Sequence, residues 1–202
     1  MPRASAWSVL FFPLLACGEL IGIDEAHYDP SLEPESEKAA DPRACDRYCD
    51  DIMAVCEGEQ AQYPNHETCL SVCATLPFGS VGSEGNTLAC RARQLELAAI
   101  EPPVHCVFAG PGGGGECGSN CEGLCSITMA ICSAETSSAH YAGYDACLSD
   151  CQALPDLERY AAREEYSAGG HVQCRLYHVT TATEDAEHHC PHVLGGAPCI
   201  NE

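Results

Sequence analysis

Sixteen of the seventeen cysteines fall into two consecutive sets of eight, in the same order and at closely similar spacing. The first set is Cys45, Cys49, Cys56, Cys69, Cys73, Cys90, Cys106 and Cys117. The second is Cys121, Cys125, Cys132, Cys147, Cys151, Cys174, Cys190 and Cys199. The intervening stretches are 3, 6, 12, 3, 16, 15 and 10 residues in the first set and 3, 6, 14, 3, 22, 15 and 8 in the second. Neighbouring residues repeat as well: Met53-Ala54-Val55-Cys56 parallels Met129-Ala130-Ile131-Cys132, Cys69-Leu70-Ser71 parallels Cys147-Leu148-Ser149, and Cys90-Arg91 parallels Cys174-Arg175. An internal repeat of this kind means one small unit used twice. Cysteines at this density persist as disulfides, which requires an oxidising compartment.

The spacing predicts helices. Cys45, Cys49 and Cys56 stand at i, i+4 and i+11, on one stripe of a helix that also carries Ile52. Cys69 and Cys73 repeat the i, i+4 step on a second helix, with Asn65 as its N-cap and Pro77 beyond its end. Two antiparallel helices with C-x3-C pairs can be stitched by two rungs, predicting Cys45–Cys73 and Cys49–Cys69, and in the second set Cys121–Cys151 and Cys125–Cys147. A third helix is expected from Asn86 or Thr87 through Cys90, with a counterpart near Cys174. The expected remaining pairs are Cys56–Cys90, Cys106–Cys117, Cys132–Cys174 and Cys190–Cys199, a choice among the 105 connectivities that eight cysteines allow. The fold class read from the sequence is all-α: two tandem disulfide-stapled modules, 45–117 and 118–202. The glycine-rich run from Gly110 to Gly115, followed by Cys117 and Cys121, lacks the Gly-Lys-Ser/Thr ending of a phosphate loop and reads as a turn or short hinge between touching modules. The insertion from Asp156 to Gly170 reads as an extra short helix capped by Asp156.

Ahead of the modules, residues 1–16 hold a single Arg3 and then an apolar stretch too short to span a bilayer, as in a signal peptide. The stretch ends in Leu14-Leu15-Ala16-Cys17, which resembles the bacterial lipobox. That resemblance implies cleavage before Cys17 and acylation of its sulfur and new amine. Each buried CH₂ contributes about 0.8 kcal/mol, so several chains, palmitate among them, anchor a protein without a transmembrane helix. Gly18 follows, where an inner-membrane retention signal would place Asp, so an outer-membrane, extracytoplasmic location is expected. From Cys17 to residue 44 the chain is acidic and proline-bearing, with Glu19, Asp24, Glu25, Asp29, Glu33, Glu35, Glu37 and Asp41, and reads as a disordered tether.

The formal net charge of −21, with 9 Lys+Arg against 30 Asp+Glu, excludes nucleic acid as a partner, because no basic patch exists to displace counterions from phosphates. The charge equally disfavours docking on anionic lipid headgroups. Catalytic motifs are missing too: there is no C-x2-C dithiol, no Gly-x-Ser-x-Gly and no c-type haem motif. The chain reads as non-enzymatic, with no cofactor implied. One cluster stands apart from the scaffold. His140, His171, His178, His188, His189 and His192 all lie in the second module around Cys174 and Cys190. His178, His189 and His192 are candidate ligands for zinc or copper if Cys190 folds back on the third helix, with the cysteines oxidised and imidazole supplying the donors. His105 corresponds to His189 in the first module, whereas Gln94 stands where His178 would be.

The segments Leu14-Leu15-Ala16-Cys17-Gly18, Gly85-Asn86-Thr87-Leu88-Ala89-Cys90-Arg91, Val172-Gln173-Cys174-Arg175-Leu176-Tyr177-His178 and His189-Cys190-Pro191-His192 resemble cysteine-rich lipoproteins of myxobacterial genomes, over essentially the whole chain. The resemblance implies origin and anchoring and carries no activity with it. The twin C-x3-C hairpin is also similar to that of small mitochondrial import chaperones, whose spacer is shorter. The functional expectation is a membrane-anchored binding or structural module of the cell envelope, facing another envelope protein or a glycan, with His-dependent metal binding as the alternative. Cys17→Ser should move the protein from the membrane fraction to the soluble one on cell fractionation; a variant still retained in membranes rules out the acyl anchor.

Overall fold

The computed structural model describes residues 43–80, 82 and 84–200, which lie within one compact unit. Cys17, the expected signal peptide and the expected tether up to residue 42 fall outside the described residues. The described chain is all-helical: α1 (Ala44–Val55), α2 (His66–Cys73), α3 (Leu88–Ala98) and α4 (Pro102–Ala109) form the first half. The second half is α5 (Asn120–Ile131), α6 (Tyr144–Gln152), α7 (Val172–Thr181) and α8 (Ala186–Val193). Among the described residues no helix is long and apolar enough to cross a membrane.

Local chemistry explains most of the boundaries. Asn65 accepts a hydrogen bond from the Thr68 N–H at 2.8 Å and opens α2, which ends ahead of Pro77. Thr87 caps α3 by accepting from the Cys90 N–H, and His171 does the same for α7 through Nδ1 at 3.0 Å from the Cys174 N–H. Ser119 and Glu122 form a reciprocal capping box on α5. The four predicted rungs are present: Cys45–Cys73, Cys49–Cys69, Cys121–Cys151 and Cys125–Cys147, with Cα–Cα separations of 5.6–5.8 Å.

The other four bridges differ from the sequence expectation. Cys56 pairs with Cys106 rather than Cys90, and Cys90 pairs with Cys117 rather than leaving Cys117 to Cys106. The second half repeats this: Cys132 pairs with Cys190, not Cys174, and Cys174 pairs with Cys199, not leaving Cys199 to Cys190. The cause is an extra helix in each half. Pro102 and Pro103 occupy the first turn of α4, where a missing N–H costs nothing, and α4 doubles back along α3. That brings Cys106 to the C-terminal end of α1, where Cys56 sits, and leaves Cys90, in the first turn of α3, to the following loop. In the second half α8 plays the part of α4.

That loop is a clamped turn. The fully buried Arg91 donates from Nε to the Gly110 carbonyl at 3.0 Å, and its terminal nitrogens donate to the Pro111 carbonyl, to Asn86 Oδ1 and to the Thr87 carbonyl. Gly113, at φ 80°, would place a Cβ 2.1 Å from the Cys117 carbonyl oxygen, so no larger residue fits. The Asp156–Gly170 insertion is not a capped helix. Glu158 takes a left-handed φ of 65°, and the only regular turn is a 3-10 turn at Glu164–Tyr166. Asp156 serves as a hub instead, accepting from Gln173 Nε2 at 2.6 Å, Asn120 Nδ2 at 2.9 Å and the Glu158 N–H at 2.9 Å. The two halves are joined by the Ala162 N–H to the Ala61 carbonyl, by Gln62 Nε2 to the Tyr160 carbonyl, and by Asn65 and Thr68, both donating to Glu184 Oε1.

In the second half the arginine equivalent to Arg91 is Arg175, which is buried and pairs with Asp150 while donating to Tyr141 Oη. Burial pushes the Asp150 carboxyl up, but the Tyr141 hydroxyl, the Arg175 hydrogen bond and the Arg175 charge outweigh it and hold the carboxyl below its ordinary 3.8. A depressed folded value means that the stability from this contact is present above about 3.8, the unfolded value, and is lost as pH falls through the lower folded value. Urea midpoints measured across the acid range should therefore fall with pH more steeply in the wild type than in Asp150→Asn. Equal slopes would show that the pair contributes no acid-labile stability.

Candidate metal centre

The two long-range disulfides of the second half set the histidines in place. Cys174 is tied to Cys199, and His178 follows one helical turn later on α7. Cys190 is tied to Cys132 and sits on α8 between His189 and His192. Three residues after α7 lead to Asp185, whose carboxylate accepts from the His188 N–H and starts α8. The turn is short, so α8 packs directly against α7.

One ligand atom from each of His178, His189 and His192 lies within 4.8 Å of the other two. Their rings stand 5.2 Å (His178–His189), 4.6 Å (His178–His192) and 6.0 Å (His189–His192) apart, centre to centre. The candidate set named from the sequence thus converges, meeting the condition that Cys190 fold back on the third helix of its half, with Cys190 bonded to Cys132 at the C-cap of α5. His188 is exposed at the rim, with its ring 4.7 Å from that of His189 and 5.3 Å from that of His192. His171 is spent on the α7 cap, and His140 is exposed outside the cluster. Cys174 and Cys199 also approach His178, but both sulfurs are in a disulfide and offer no thiolate.

The protonation pattern follows from the partners. The Ser167 carbonyl lies 2.9 Å from His178 Nε2. A carbonyl only accepts, so Nε2 carries the proton and Nδ1 holds a lone pair facing inward. His189 Nδ1 is 3.0 Å from that lone pair and donates to it in the metal-free chain. Moving the His189 proton to Nε2 would turn both Nδ1 atoms into donors to one ion. Metal-ligating histidines characteristically give their second N–H to a carbonyl or carboxylate, as His178 gives its own to Ser167. His192 Nδ1 is buried and has no hydrogen-bond partner among the described residues.

Electrostatics keep these rings neutral. Burial pulls His178 down to about 4; the Ser167 hydrogen bond opposes this, and the neighbouring imidazoles add to it. Burial likewise lowers His189 and His192; the His188 and His192 rings reinforce it at His189 against the Asp185 and Glu184 carboxylates, and the His188 ring reinforces it at His192 against the Ala197 backbone. Ligand nitrogens on a tetrahedral zinc stand about 3.3 Å apart, given Zn–N bonds of about 2.0–2.1 Å. His178 Nδ1 and His189 Nδ1, 3.0 Å apart, already stand near that value, and the whole set lies within 4.8 Å. Ser167, whose carbonyl meets His178 Nε2, is the residue of the candidate site that the sequence did not disclose. Its one trace was length, since the insertion makes this connection 22 residues in the second module against 16 in the first.

Comparison with known proteins bears on the other half of the chain. Residues 24–121 are similar to the BfoA family C-terminal domain. The match spans α1 to α4 and stops at Cys121, short of every histidine in the cluster. None of the curated proteins and none of the solved structures matches the chain.

The tautomer assignment can be measured directly. Long-range ¹H–¹⁵N correlation spectra of the metal-free protein should show His178 protonated at Nε2 and bare at Nδ1. A protonated Nδ1 would mean that the inward lone pair does not exist.

Proposed function

We propose that the protein is a lipid-anchored, extracytoplasmic, non-enzymatic module of the cell envelope that binds a late first-row transition ion, zinc or copper, through His178, His189 and His192. The convergence of three neutral imidazoles within 4.8 Å, one of them with a buried and unpartnered Nδ1, carries the metal reading. Imidazole donors without thiolate or carboxylate suit zinc, copper and nickel and disfavour magnesium and calcium. The anchor reading rests on Leu14-Leu15-Ala16-Cys17 and on arithmetic: eight disulfides use every cysteine but Cys17. A docking partner in the envelope, protein or glycan, is compatible with a rigid module of this kind.

The metal would be cargo rather than a structural element. Eight covalent staples hold the fold, unlike a zinc finger whose folding energy is the metal's. The site also lies at the surface, with His189 and His192 part-exposed and His188 at the rim, so the ion can exchange.

Titration of the mature protein with zinc or copper(II) should show saturable uptake, confirmed by elemental analysis. Thermal stability should rise with ligand: an ion at about 100 times its Kd adds about 2.7 kcal/mol. His178→Ala with His192→Ala should abolish both effects, and chelation should leave the helical far-UV signal unchanged. Absent uptake by the wild type, or undiminished uptake by the double variant, refutes the reading.

A further inference from the structure

The first module contains the same cradle with its ligands exchanged. Gln94 lies four residues after Cys90, as His178 lies four after Cys174. His105 and Phe108 flank Cys106 as His189 and His192 flank Cys190. The bridges agree as well: Cys56–Cys106 and Cys90–Cys117 repeat Cys132–Cys190 and Cys174–Cys199. Side-chain geometry follows the backbone. The His105 and Phe108 rings are 6.0 Å apart at 75°, and those of His189 and His192 are 6.0 Å apart at 74°. His105 Nδ1 donates to Gln94 Oε1 at 2.8 Å, where His178 and His189 meet Nδ1 to Nδ1 at 3.0 Å. Gln94 and His178 are buried to the same degree, at 6% and 5% exposure.

We infer that the first module holds a latent site for the same class of transition ion, closed by the Gln94–His105 hydrogen bond and by the Phe108 ring, so that the native chain takes up one ion, in its second module. The inference rests on the metal reading above. Phe108 offers no donor atom, and the carboxamide oxygen of Gln94 is a poor ligand for zinc or copper beside an imidazole. Both residues withhold the ring nitrogens that His178 and His192 offer at the corresponding positions. The connection before α3 is shorter than the one before α7 and holds no turn equivalent to Glu164–Tyr166 among the described residues. A histidine placed at 94 would thus lack the orienting carbonyl that Ser167 supplies to His178, and the restored site should be the weaker one.

The experiment counts zinc per mature chain by calorimetric titration and elemental analysis. The wild type is expected to take up one equivalent, and Gln94→His with Phe108→His two, the second more weakly. Adding those two changes to His178→Ala and His192→Ala should restore one equivalent. A Gln94→His, Phe108→His protein with native disulfides that still binds a single zinc overturns the inference while leaving the metal reading intact. A wild type that binds none overturns the metal reading, and this inference with it. Should the gain-of-site variant misfold, the reverse exchange decides. His178→Gln with His192→Phe should keep the native disulfides and the wild-type urea midpoint and bind no zinc, whereas misfolding or a lowered midpoint shows that the cradles are not equivalent.

Discussion

The bond between Cys132 and Cys190 decides where α8 lies, and with it whether the histidines meet. It spans 58 residues, the longest closure among the described residues. Restricting an unfolded chain over that length contributes about 4 kcal/mol on the chain-entropy account, against about 3 kcal/mol for the 20-residue rung Cys49–Cys69. The non-covalent alternatives are weak. Pro191 lies inside α8 and removes a backbone donor from an eight-residue helix, and helices of that length have little intrinsic stability. Cys190 and Val193 are its buried residues. A covalent tie at the centre of such a helix holds it against α5 and α7, and fixes His189 and His192 on either side of the tie.

Burial of polar groups separates the two halves in a parallel way. Arg91 is wholly buried and satisfied by carbonyls and Asn86, so the first module locks its glycine turn from within; burial lowers its affinity for a proton, opposed by Tyr48 and Tyr63 nearby. Tyr48 donates to the Ala109 carbonyl at 2.6 Å, and burial pushes its own hydroxyl up to about 12. Arg175 stands at the same repeat position but faces Asp150 and Tyr141. The first module thus spends its arginine on carbonyls of the following turn. The second spends it on Asp150 of α6 and on Tyr141.

How far all this was legible follows from which signals are local. The C-x3-C pairs lie on helical stripes, so the twin rungs are deducible from spacing alone. The remaining pairs depend on α4 and α8, whose sequence signals are mixed: Pro102-Pro103 and the Asp185 cap mark their starts. Glu101 makes no capping bond ahead of α4, and Pro191 argues against any helix at 186–193. Without those helices Cys56 has no visible partner beyond Cys90. Asp156 shows the converse failure: following Pro155 it has the composition of an N-cap, but Asn120 and Gln173, distant in sequence, claim its oxygens. The histidines were identifiable as a set because they crowd around Cys174 and Cys190. That they converge, and that a backbone carbonyl orients His178, are facts of tertiary structure that no residue type announces.

Duplication makes the cradle inexpensive to modify. Each copy has its own four bridges, so exchanging a histidine for a glutamine or phenylalanine at the α3–α4 or α7–α8 contact removes no constraint on which the fold depends. The insertion in the second copy acts at the same place: it carries Ser167 over the end of α7, to the one ring nitrogen that must hold a proton if its partner is to offer a lone pair. A longer connection costs only about 0.6 kcal/mol of closure entropy for each doubling of length. Orienting His178 with such a segment is therefore a small penalty beside the bridges that already hold the frame. The same economy accounts for the first copy, where a direct Gln94–His105 bond fills the position without any added segment.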